Sequence, residues 1–402
     1  MANCIVAQSG GPTAVINATL AGILEANTEE KVYDKVYGGL HGIEGILQER
    51  LVHLVHDSEK NAILKQTPAA ILGSCRYKLK RENEEDFVKI INIMDKYDIE
   101  TFFYIGGNDS MDTVKMLSEY AEKNGLNKRF IGCPKTIDND LVDTDHCPGY
   151  GSAAKFIAST VLATNHDYNV YTRKEIFIVE TMGRDTGWLA AASYLSKIPD
   201  ILLLPEDTFN KEKFLNRVQQ CINRNNKCYI VTAEGLSDPD NNLVSTESTV
   251  KDEFNHAKLG GGNIANSLKR LIMEEKLSSN CKVQDLGLLQ RCFSPSLSKT
   301  DVDESCQIGR TALLKSKDTS FTGKMINIIR NKGKEYSASF GTVDVANVAN
   351  KVKFFPKEWI LPDYKGITDD GINYILPLIQ GNLDMKHKDG MPVYMEPYHK
   401  LA

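Results

Sequence analysis

The sequence has no Cys-x-x-Cys pair, although nine cysteines are scattered between Cys4 and Cys306. Pairs at that spacing are typical of structural zinc sites and of redox-active disulfides. An odd number of dispersed cysteines favours buried free thiols, which persist in a reducing compartment. We therefore expect a cytoplasmic protein without a disulfide framework.

Long apolar runs and an excess of basic residues are also missing. A membrane span needs about 20 apolar residues, and the N-terminal MANCIVAQSGG has no basic residue before its short apolar stretch. We expect neither a signal peptide nor a membrane partner. The 48 lysines and arginines are outnumbered by 53 acidic residues, which argues against a nucleic-acid partner. A short cationic cluster suits a small polyanion instead: Arg76, Lys78, Lys80 and Arg81.

Apolar, β-branched runs repeatedly lead into a glycine-rich turn and then into a helix-like segment. In the segment after Gly107, Met111, Val114 and Leu117 lie on one helical face. This alternation predicts an α/β fold with doubly wound, mainly parallel, Rossmann-like sheets. In such sheets ligands bind beyond the carboxyl ends of the strands, where these turns lie. The predicted strands include residues 4–7, 101–105, 176–180 and 229–232.

The length of 402 residues predicts two domains. No low-complexity linker separates them. The turn at 147–151 (CPGYG) is the best first hinge, and the chain has a possible return crossing near Gln290.

Two glycine pairs, Gly10–Gly11 and Gly106–Gly107, follow predicted strands and precede predicted helices. Glycine lets a backbone approach phosphate closely, and a helix N-terminus offers free N–H groups. No G-x-x-x-x-G-K-[ST] motif occurs, so a Walker A loop is excluded. Each pair taken alone is also compatible with an ordinary tight turn.

A G-x-G-x-x-A pattern at Gly260, Gly262 and Ala265 resembles a dinucleotide fingerprint. The fingerprint requires a preceding strand, whereas residues 251–259 are charged and helix-like. The pattern therefore argues weakly for a nicotinamide enzyme.

The segment PKTIDND (134–140) has the densest functional chemistry. If it is extended, Thr136, Asp138 and Asp140 share one face, with the carboxylates about 6–7 Å apart. One could then accept a proton while the other orients partners or metal-bound water, and Asp109 is a third carboxylate available for Mg²⁺. An Asx-turn with a helix cap is the structural alternative. Lys135 adds a cation beside a potential base, as phosphoryl transfer requires.

These motifs together resemble the phosphofructokinase family. QSGGPTAVIN, LGSCRYKL, GGNDS, PKTIDND, PGYGSAAK, MGR, AEG and LLQR occur in the family's order and spacing, from about residue 4 to about residue 310. The resemblance implies two Rossmann-like phosphofructokinase domains. A phosphoryl-donor domain would comprise residues 1–149 and about 290–335, and a sugar-phosphate domain residues 150–289 and about 336–402.

The resemblance also implies a role for each matching residue. Asp138 would take the proton from the sugar 1-hydroxyl, and Thr136 and Ile137 would hold that end of the sugar. The wall of the sugar site would be Met182, Gly183 and Arg184, with Glu234 on a hydroxyl. Arg291 would bind the 6-phosphate, and Lys282 could pair with phosphate. Gly11 and Arg76 would contact the donor, and Asn108 and Asp109 would hold Mg²⁺.

Asp109 and Lys135 stand where ATP-using members of the family typically have glycine, and they resemble the pyrophosphate users. An aspartate would fill the space of the nucleotide α-phosphate and repel it, costing about 3–4 kcal/mol at about 4–5 Å. That cost is a discrimination of a few hundredfold. Lys135 would stabilise the leaving phosphate. The resemblance thus implies reversible, pyrophosphate-dependent phosphorylation of fructose 6-phosphate in glycolysis, by a homodimer or homotetramer.

Four positions depart from the family pattern. Asn108 replaces the usual metal-binding aspartate, and Leu288 replaces a frequent His or Tyr. Glu175 and Lys282 stand where ATP-type enzymes have arginines. Two alternatives therefore stay open: an ATP-dependent enzyme and a non-catalytic regulatory subunit.

Overall fold

The structure is a computed structural model that describes residues 1–240, 242–245 and 261–398. The charged segment 251–259 and Gly260 of the G-x-G-x-x-A pattern lie outside the described residues. No helix among the described residues is long and apolar enough to cross a membrane.

The strands alternate with helices for most of the chain. In chain order the strands are β1 Asn3–Gln8, β2 Val36–Gly39, β3 Leu51–Leu54, β4 Ile99–Gly106, β5 Arg129–Pro134, β6 Glu175–Thr181, β7 Ile201–Leu203, β8 Lys227–Ala233, β9 Cys281–Asp285, β10 Lys324–Arg330, β11 Ala338–Asp344, β12 Ile360–Leu361, β13 Gly366–Ile367, β14 His387–Lys388 and β15 Met391–Pro392. The α-helices are α1 Ile16–Glu30, α2 Gly42–Leu47, α3 Ser58–Gln66, α4 Glu84–Lys96, α5 Asn108–Lys123, α6 Tyr150–Tyr168, α7 Trp188–Ala192, α8 Lys211–Asn225, α9 Asn263–Glu274, α10 Leu289–Cys292, α11 Lys299–Lys315, α12 Val345–Val348 and α13 Asp369–Ile375. Short 3₁₀ helices occupy Ser193–Ser196, Ser294–Ser296, Lys357–Trp359 and Leu376–Ile379.

The chain divides into two compact units. The first is Met1–Ser152, Arg291–Val352 and Gln380–Ala402, and the second is Ala153–Gln290 and Lys353–Ile379. The predicted domain bounds stay a prediction, and the units differ from them after residue 335. Residues 331–337 form the connection after β10, and strand β11 then pairs antiparallel with β10. This pairing places β11 in the first unit.

The first unit contains a seven-stranded sheet in the order β11-β10-β5-β4-β1-β2-β3. Its inner pairs β5–β4, β4–β1 and β1–β2 are parallel, and the outer pairs β10–β11 and β2–β3 are antiparallel. Side chains alternate between two cores, as in a sheet covered on both faces: in β1, Ile5 packs with α4 and α5, whereas Val6 packs with α1 and α11. The doubly wound arrangement is confirmed.

Helices α1 and α11 approach closely through two glycines. A Cβ atom at Gly22 would lie 2.0 Å from the carbonyl oxygen of Cys306, and one at Gly309 would lie 2.0 Å from that of Thr19. Only glycine fits such a contact. This crossing fixes α1, which begins after the Gly10–Gly11 turn, against the sheet.

The second unit contains the all-parallel sheet β7-β8-β6-β9. Its apolar core packs Ile176 and Ile178 of β6 with Phe214 of α8 and Leu268 of α9. The predicted strands at 176–180 and 229–232 are confirmed as parts of β6 and β8. The carboxyl ends of these strands lead into the MGR and AEG turns.

Candidate active site

In the first unit, the turn after β1 is hydrogen-bonded to Ser74 and Cys75, which precede Arg76. Gly10 has φ +74°, a conformation that favours glycine, and its N–H donates to the carbonyl of Cys75 at 3.2 Å. The Ser74 hydroxyl donates to the carbonyl of Gly10 at 2.6 Å. The turn is therefore hydrogen-bonded directly to the segment that carries the exposed Arg76.

Lys135 follows β5 and lies buried against the same turn. Its ammonium Nζ donates to the carbonyl of Gly11 at 2.6 Å, and only 3% of the residue is exposed. Burial lowers the pKa of Lys135 to about 8, while the nearby carboxylates of Asp138 and Asp140 act to raise it. Loss of hydration outweighs the attraction of these carboxylates, so the positive charge of the ammonium is incompletely balanced. This indicates a group that would be stabilised by a bound anion.

Arg291, at the end of the LLQR motif, adds a second cation to this turn. Its Nη1 lies 3.1 Å from the position a Cβ atom would take at Gly11. Burial lowers the pKa of the Arg291 guanidinium, and the charge of Arg76 lowers it further, whereas Asp138 acts to raise it. We name Arg76, Lys135 and Arg291 the cation cluster.

The loop that contains Asp138 is bent rather than extended, so the condition under which Thr136, Asp138 and Asp140 would share one face is not met. The Thr136 hydroxyl accepts from the Asp138 N–H at 3.1 Å, which closes a tight turn, and Asn139 adopts φ +54°. The Asn139 side-chain oxygen accepts from the Cys147 N–H at 2.9 Å. Asp138 and Asp140 are half-buried, and Ile137 is buried.

Asn108 and Asp109 begin helix α5 directly after the Gly106–Gly107 pair. The Asn108 side chain accepts from the Asn350 N–H and donates to the Lys351 carbonyl, so it fastens the helix start to the loop at 350–351. The Asp109 carboxylate is 69% exposed and lies 3.7 Å from the Lys78 ammonium. The more accessible ligand group of this pair is therefore that of Asp109.

In the second unit, the turns after β6 and β8 hold each other through backbone groups. The Gly183 N–H donates to the Glu234 carboxylate at 3.3 Å, and the Gly235 N–H donates to the Gly183 carbonyl at 3.1 Å. A Cβ atom at Gly235 would lie 1.6 Å from the Arg184 carbonyl oxygen. These contacts bring the MGR motif and Glu234 together.

Lys282 and Glu175 occur on neighbouring strands of that sheet and pair with each other. The Lys282 ammonium lies 3.0 Å from the Glu175 carboxylate, and Lys227 lies 3.3 Å from it. Burial alone would raise the pKa of Glu175, but Lys282 and Lys227 hold it below its usual range. The positive charge of Lys282 is thus partly neutralised by Glu175. Leu288, the other position that departs from the family pattern in this unit, is 60% exposed.

The family model for phosphofructokinase matches residues 3–312. The chain belongs to the phosphofructokinase family. A pyrophosphate–fructose 6-phosphate 1-phosphotransferase of Methylococcus capsulatus is 37% identical, over 98% of this chain and 95% of its own length. A relative of the same name from Halomonas elongata is also 37% identical, over 97% and 94%. The crystal structure of a pyrophosphate-dependent phosphofructokinase from Nitrosospira multiformis is 34% identical, has a TM-score of 0.87, and matches over 98% of this chain and 96% of its own.

In this member of the phosphofructokinase family, two side chains that hold predicted residues were not themselves predicted from the sequence. Ser74 holds Gly10, and the Gln290 side-chain oxygen accepts from the Met182 N–H at 3.1 Å. Both lie inside motifs that carry the family resemblance, LGSCRYKL and LLQR, so their proximity in sequence to Arg76 and Arg291 could have indicated them.

One further group of potential metal ligands was also missed among the described residues. Ligand atoms of Asp200, Cys221 and Cys228 lie within 4.8 Å of one another. The Asp200 carboxylate already accepts from Arg224 at 2.6 Å and from the Tyr229 N–H at 3.0 Å. These bonds indicate a clamp between α8 and β8.

Proposed function

We propose that this protein transfers a phosphoryl group from pyrophosphate to the 1-hydroxyl of fructose 6-phosphate. The products are fructose 1,6-bisphosphate and phosphate, and the step is a reversible one of glycolysis. The observation that carries the proposal is the buried Lys135 ammonium on the Gly11 carbonyl, beside Arg291. Relatives that match nearly the whole chain and have the corresponding name support it.

Pyrophosphate would bind at the Gly10–Gly11 turn. Glycine leaves room for a phosphate group next to the backbone, and the cation cluster provides charge without a Walker A loop. When an anion binds, the Lys135 ammonium regains a charged partner, so the proton on Lys135 is held more tightly. Asp109 would repel the additional phosphate of a nucleotide.

Asp138 would act as the general base. Its carboxylate takes the proton of the sugar 1-hydroxyl while that oxygen attacks the terminal phosphorus, and the bridging P–O bond breaks. The negative charge that develops on the leaving phosphate is stabilised by Lys135 and Arg76. Thr136 fixes the Asp138 backbone, and Ile137 would line the same end of the sugar.

The sugar phosphate would bind through Met182, Gly183 and Arg184, with Glu234 on a hydroxyl. The hydrogen bond from the Gly183 N–H to the Glu234 carboxylate supports this grouping. Arg291 would bind the 6-phosphate, and its proximity to Gly11 adds its charge to the donor turn. Lys282 would contribute less than the sequence implied, because it is paired with Glu175.

Mg²⁺ fits the exposed Asp109 carboxylate, since this ion prefers carboxylate oxygens and retains several waters. Asn108 would support the site by fixing the start of α5. When bound, the ion would neutralise charge on the pyrophosphate oxygens. We also propose a homodimer or homotetramer in the cytoplasm; all nine cysteines being free thiols supports a reducing compartment.

The test is an assay of purified protein with fructose 6-phosphate, magnesium and either pyrophosphate or ATP. We expect turnover with pyrophosphate and at least a hundredfold lower kcat/KM with ATP. Asp138→Asn should lower kcat with pyrophosphate by about 10²–10⁴-fold, the usual contribution of a general base. Robust turnover with ATP alone would reject the donor, and an Asp138→Asn variant as fast as the parent would reject the base.

A further inference from the structure

A buried ionic network lies behind the loop that contains Asp138. His146 is 1% exposed, and its Nδ1 lies 2.9 Å from the Asp145 carboxylate while its Nε2 lies 2.7 Å from the Glu304 carboxylate. Carboxylates only accept hydrogen bonds when ionised, so with both carboxylates ionised both ring nitrogens donate. This geometry fits a doubly protonated imidazolium.

The outer members of the network hold the two carboxylates in place. The Arg330 guanidinium donates to Asp145 from Nη2 at 3.0 Å and from Nε at 3.1 Å. The Tyr336 hydroxyl donates to the other oxygen of Glu304 at 2.5 Å. Two cations thus balance two anions, and a network whose polar groups are hydrogen-bonded to one another is rigid. Asp301, 2% exposed, is the further charged group near His146.

The network connects to Asp138 through a short covalent and hydrogen-bonded path. Cys147, next to His146, donates its N–H to the Asn139 side chain, and Asn139 is next to Asp138. Thr136 forms a bridge with Gly149, whose N–H donates to Asp301. The loop that contains Asp138, which we name the base loop, is therefore held by backbone and side-chain hydrogen bonds to the segment that follows His146.

We propose that His146, charged and held between Asp145 and Glu304, is a positioning residue for Asp138. It contacts neither substrate nor reacting atoms; it fixes the segment on which the base loop rests. The proposal rests on the proposed function for the role of Asp138, but the charge state of His146 does not. The raised pKa of His146, about 9, agrees with the geometry: burial alone would lower it, but Glu304 and Asp145 outweigh that effect.

The first measurement is the charge of His146 in the full chain. Protein labelled with ¹³C-histidine is titrated by NMR between pH 5.5 and 10, and the His146 signal is assigned as the one lost in His146→Gln or, failing that, shifted in Tyr336→Phe. We expect an imidazolium that stays protonated through pH 7.5. A signal that titrates at or below the ordinary pKa, about 6.5, would overturn the proposal even if the enzyme proved inactive with pyrophosphate.

The second measurement separates positioning from general stability. A small displacement of a catalytic group can cost about 10²-fold, so His146→Gln should lower kcat by about 10–100-fold, with KM for both substrates within about threefold. Tyr336→Phe, a milder change, should lower kcat about threefold. The control Tyr33→Phe removes buried hydrogen bonds to Thr101 and Ser316 in the same unit and should leave kcat unchanged.

Failure of this inference differs from failure of the proposed function. If the parent uses pyrophosphate and Asp138→Asn abolishes turnover, but His146→Gln and Tyr336→Phe retain the parental kcat, only the positioning role is rejected. Equal losses of kcat in His146→Gln and Tyr33→Phe, at equal loss of stability, would also reject it.

Discussion

Lys135 and His146 are both buried cations in the first unit, yet their surroundings shift their pKa values in opposite directions. Lys135 has a carbonyl as its closest hydrogen-bond acceptor, and its pKa falls to about 8 because burial dominates. His146 lies between two carboxylates, and its pKa rises to about 9. At His146 the protein's own carboxylates more than offset the cost of burying the charge. At Lys135 the nearby carboxylates offset that cost only in part.

This contrast distinguishes a binding group from a structural one. A buried cation whose charge is incompletely balanced gains most when an anionic substrate arrives, because the substrate supplies the missing partner. A cation already paired on both sides gains nothing from a substrate and instead fixes the elements that hold its partners. Lys135 belongs to the first kind and His146 to the second.

Removal of the Lys135 ammonium should have the largest effect on activity. Lys135→Met should lower kcat/KM for pyrophosphate by about 10²–10³-fold, the usual cost of one charge-stabilising donor in a dry site. The measurement is steady-state kinetics with pyrophosphate varied at saturating sugar phosphate.

Lys128→Met is the matched control for that change. Lys128 lies just before the same strand β5, donates to the Ile99 carbonyl at 2.8 Å and pairs with Asp95 at 2.7 Å. It is a mostly buried lysine that already has its anion, so kcat/KM should change by less than about threefold. Similar losses in both variants would contradict the distinction between the two kinds of cation.

A smaller effect is expected when a methyl group is placed beside the Lys135 ammonium. The Cβ atom of Gly10→Ala would lie 3.3 Å from Nζ, and φ +74° adds backbone strain of about 1 kcal/mol. We expect KM for pyrophosphate to rise about tenfold, because the ammonium is displaced from the turn.

Gly125→Ala carries the same kind of strain without the contact. Gly125 has φ +61°, and no atom lies within 4 Å of its added Cβ. Urea unfolding should show a similar loss of stability in the two variants, and kinetics should show a change of KM only in Gly10→Ala. A raised KM in both would mean that strain rather than the ammonium is responsible.

The sequence predicted the parallel framework because strand and helix periodicities, together with the glycine turns, are local. The apolar runs at residues 4–7 and 101–105 already predicted strands, and these became the paired β1 and β4 at the centre of the sheet. Strand β11 was missed as part of this sheet. Its residues are half-buried or exposed, so they lack the apolar pattern on which the prediction depended.

The residue types of the site were predictable from motifs, but their geometry was not. The bend at Asp138 depends on two hydrogen bonds: the Asp138 N–H donates to the Thr136 hydroxyl, and the Cys147 N–H donates to the Asn139 side chain. The bond between His146 and Glu304 joins residues that are 158 positions apart. Such contacts exist only after the chain folds, so a pattern in sequence does not reveal them.

Lys135 and His146 should also make opposite contributions to the pH dependence of stability. Burial lowers the pKa of Lys135 from 10.5 to about 8, so the unfolded chain binds more protons between these pH values and stability rises with pH. The pKa of His146 is raised from 6.5 to about 9, so its contribution is complete below pH 6.5 and is lost as pH rises through 9. Each effect is on the order of 3 kcal/mol.

Urea unfolding of the parent, Lys135→Met and His146→Gln at pH 6.5, 8 and 10 measures both contributions under reducing conditions. Lys135→Met should be more stable than the parent at pH 6.5, and the difference should shrink by pH 10 because the parent's lysine has then lost most of its charge. His146→Gln should be less stable than the parent at pH 6.5, and that difference should also shrink by pH 10. Because the two differences have opposite signs at pH 6.5, a Lys135→Met variant less stable than the parent there would show that this ammonium is already well paired in the free protein.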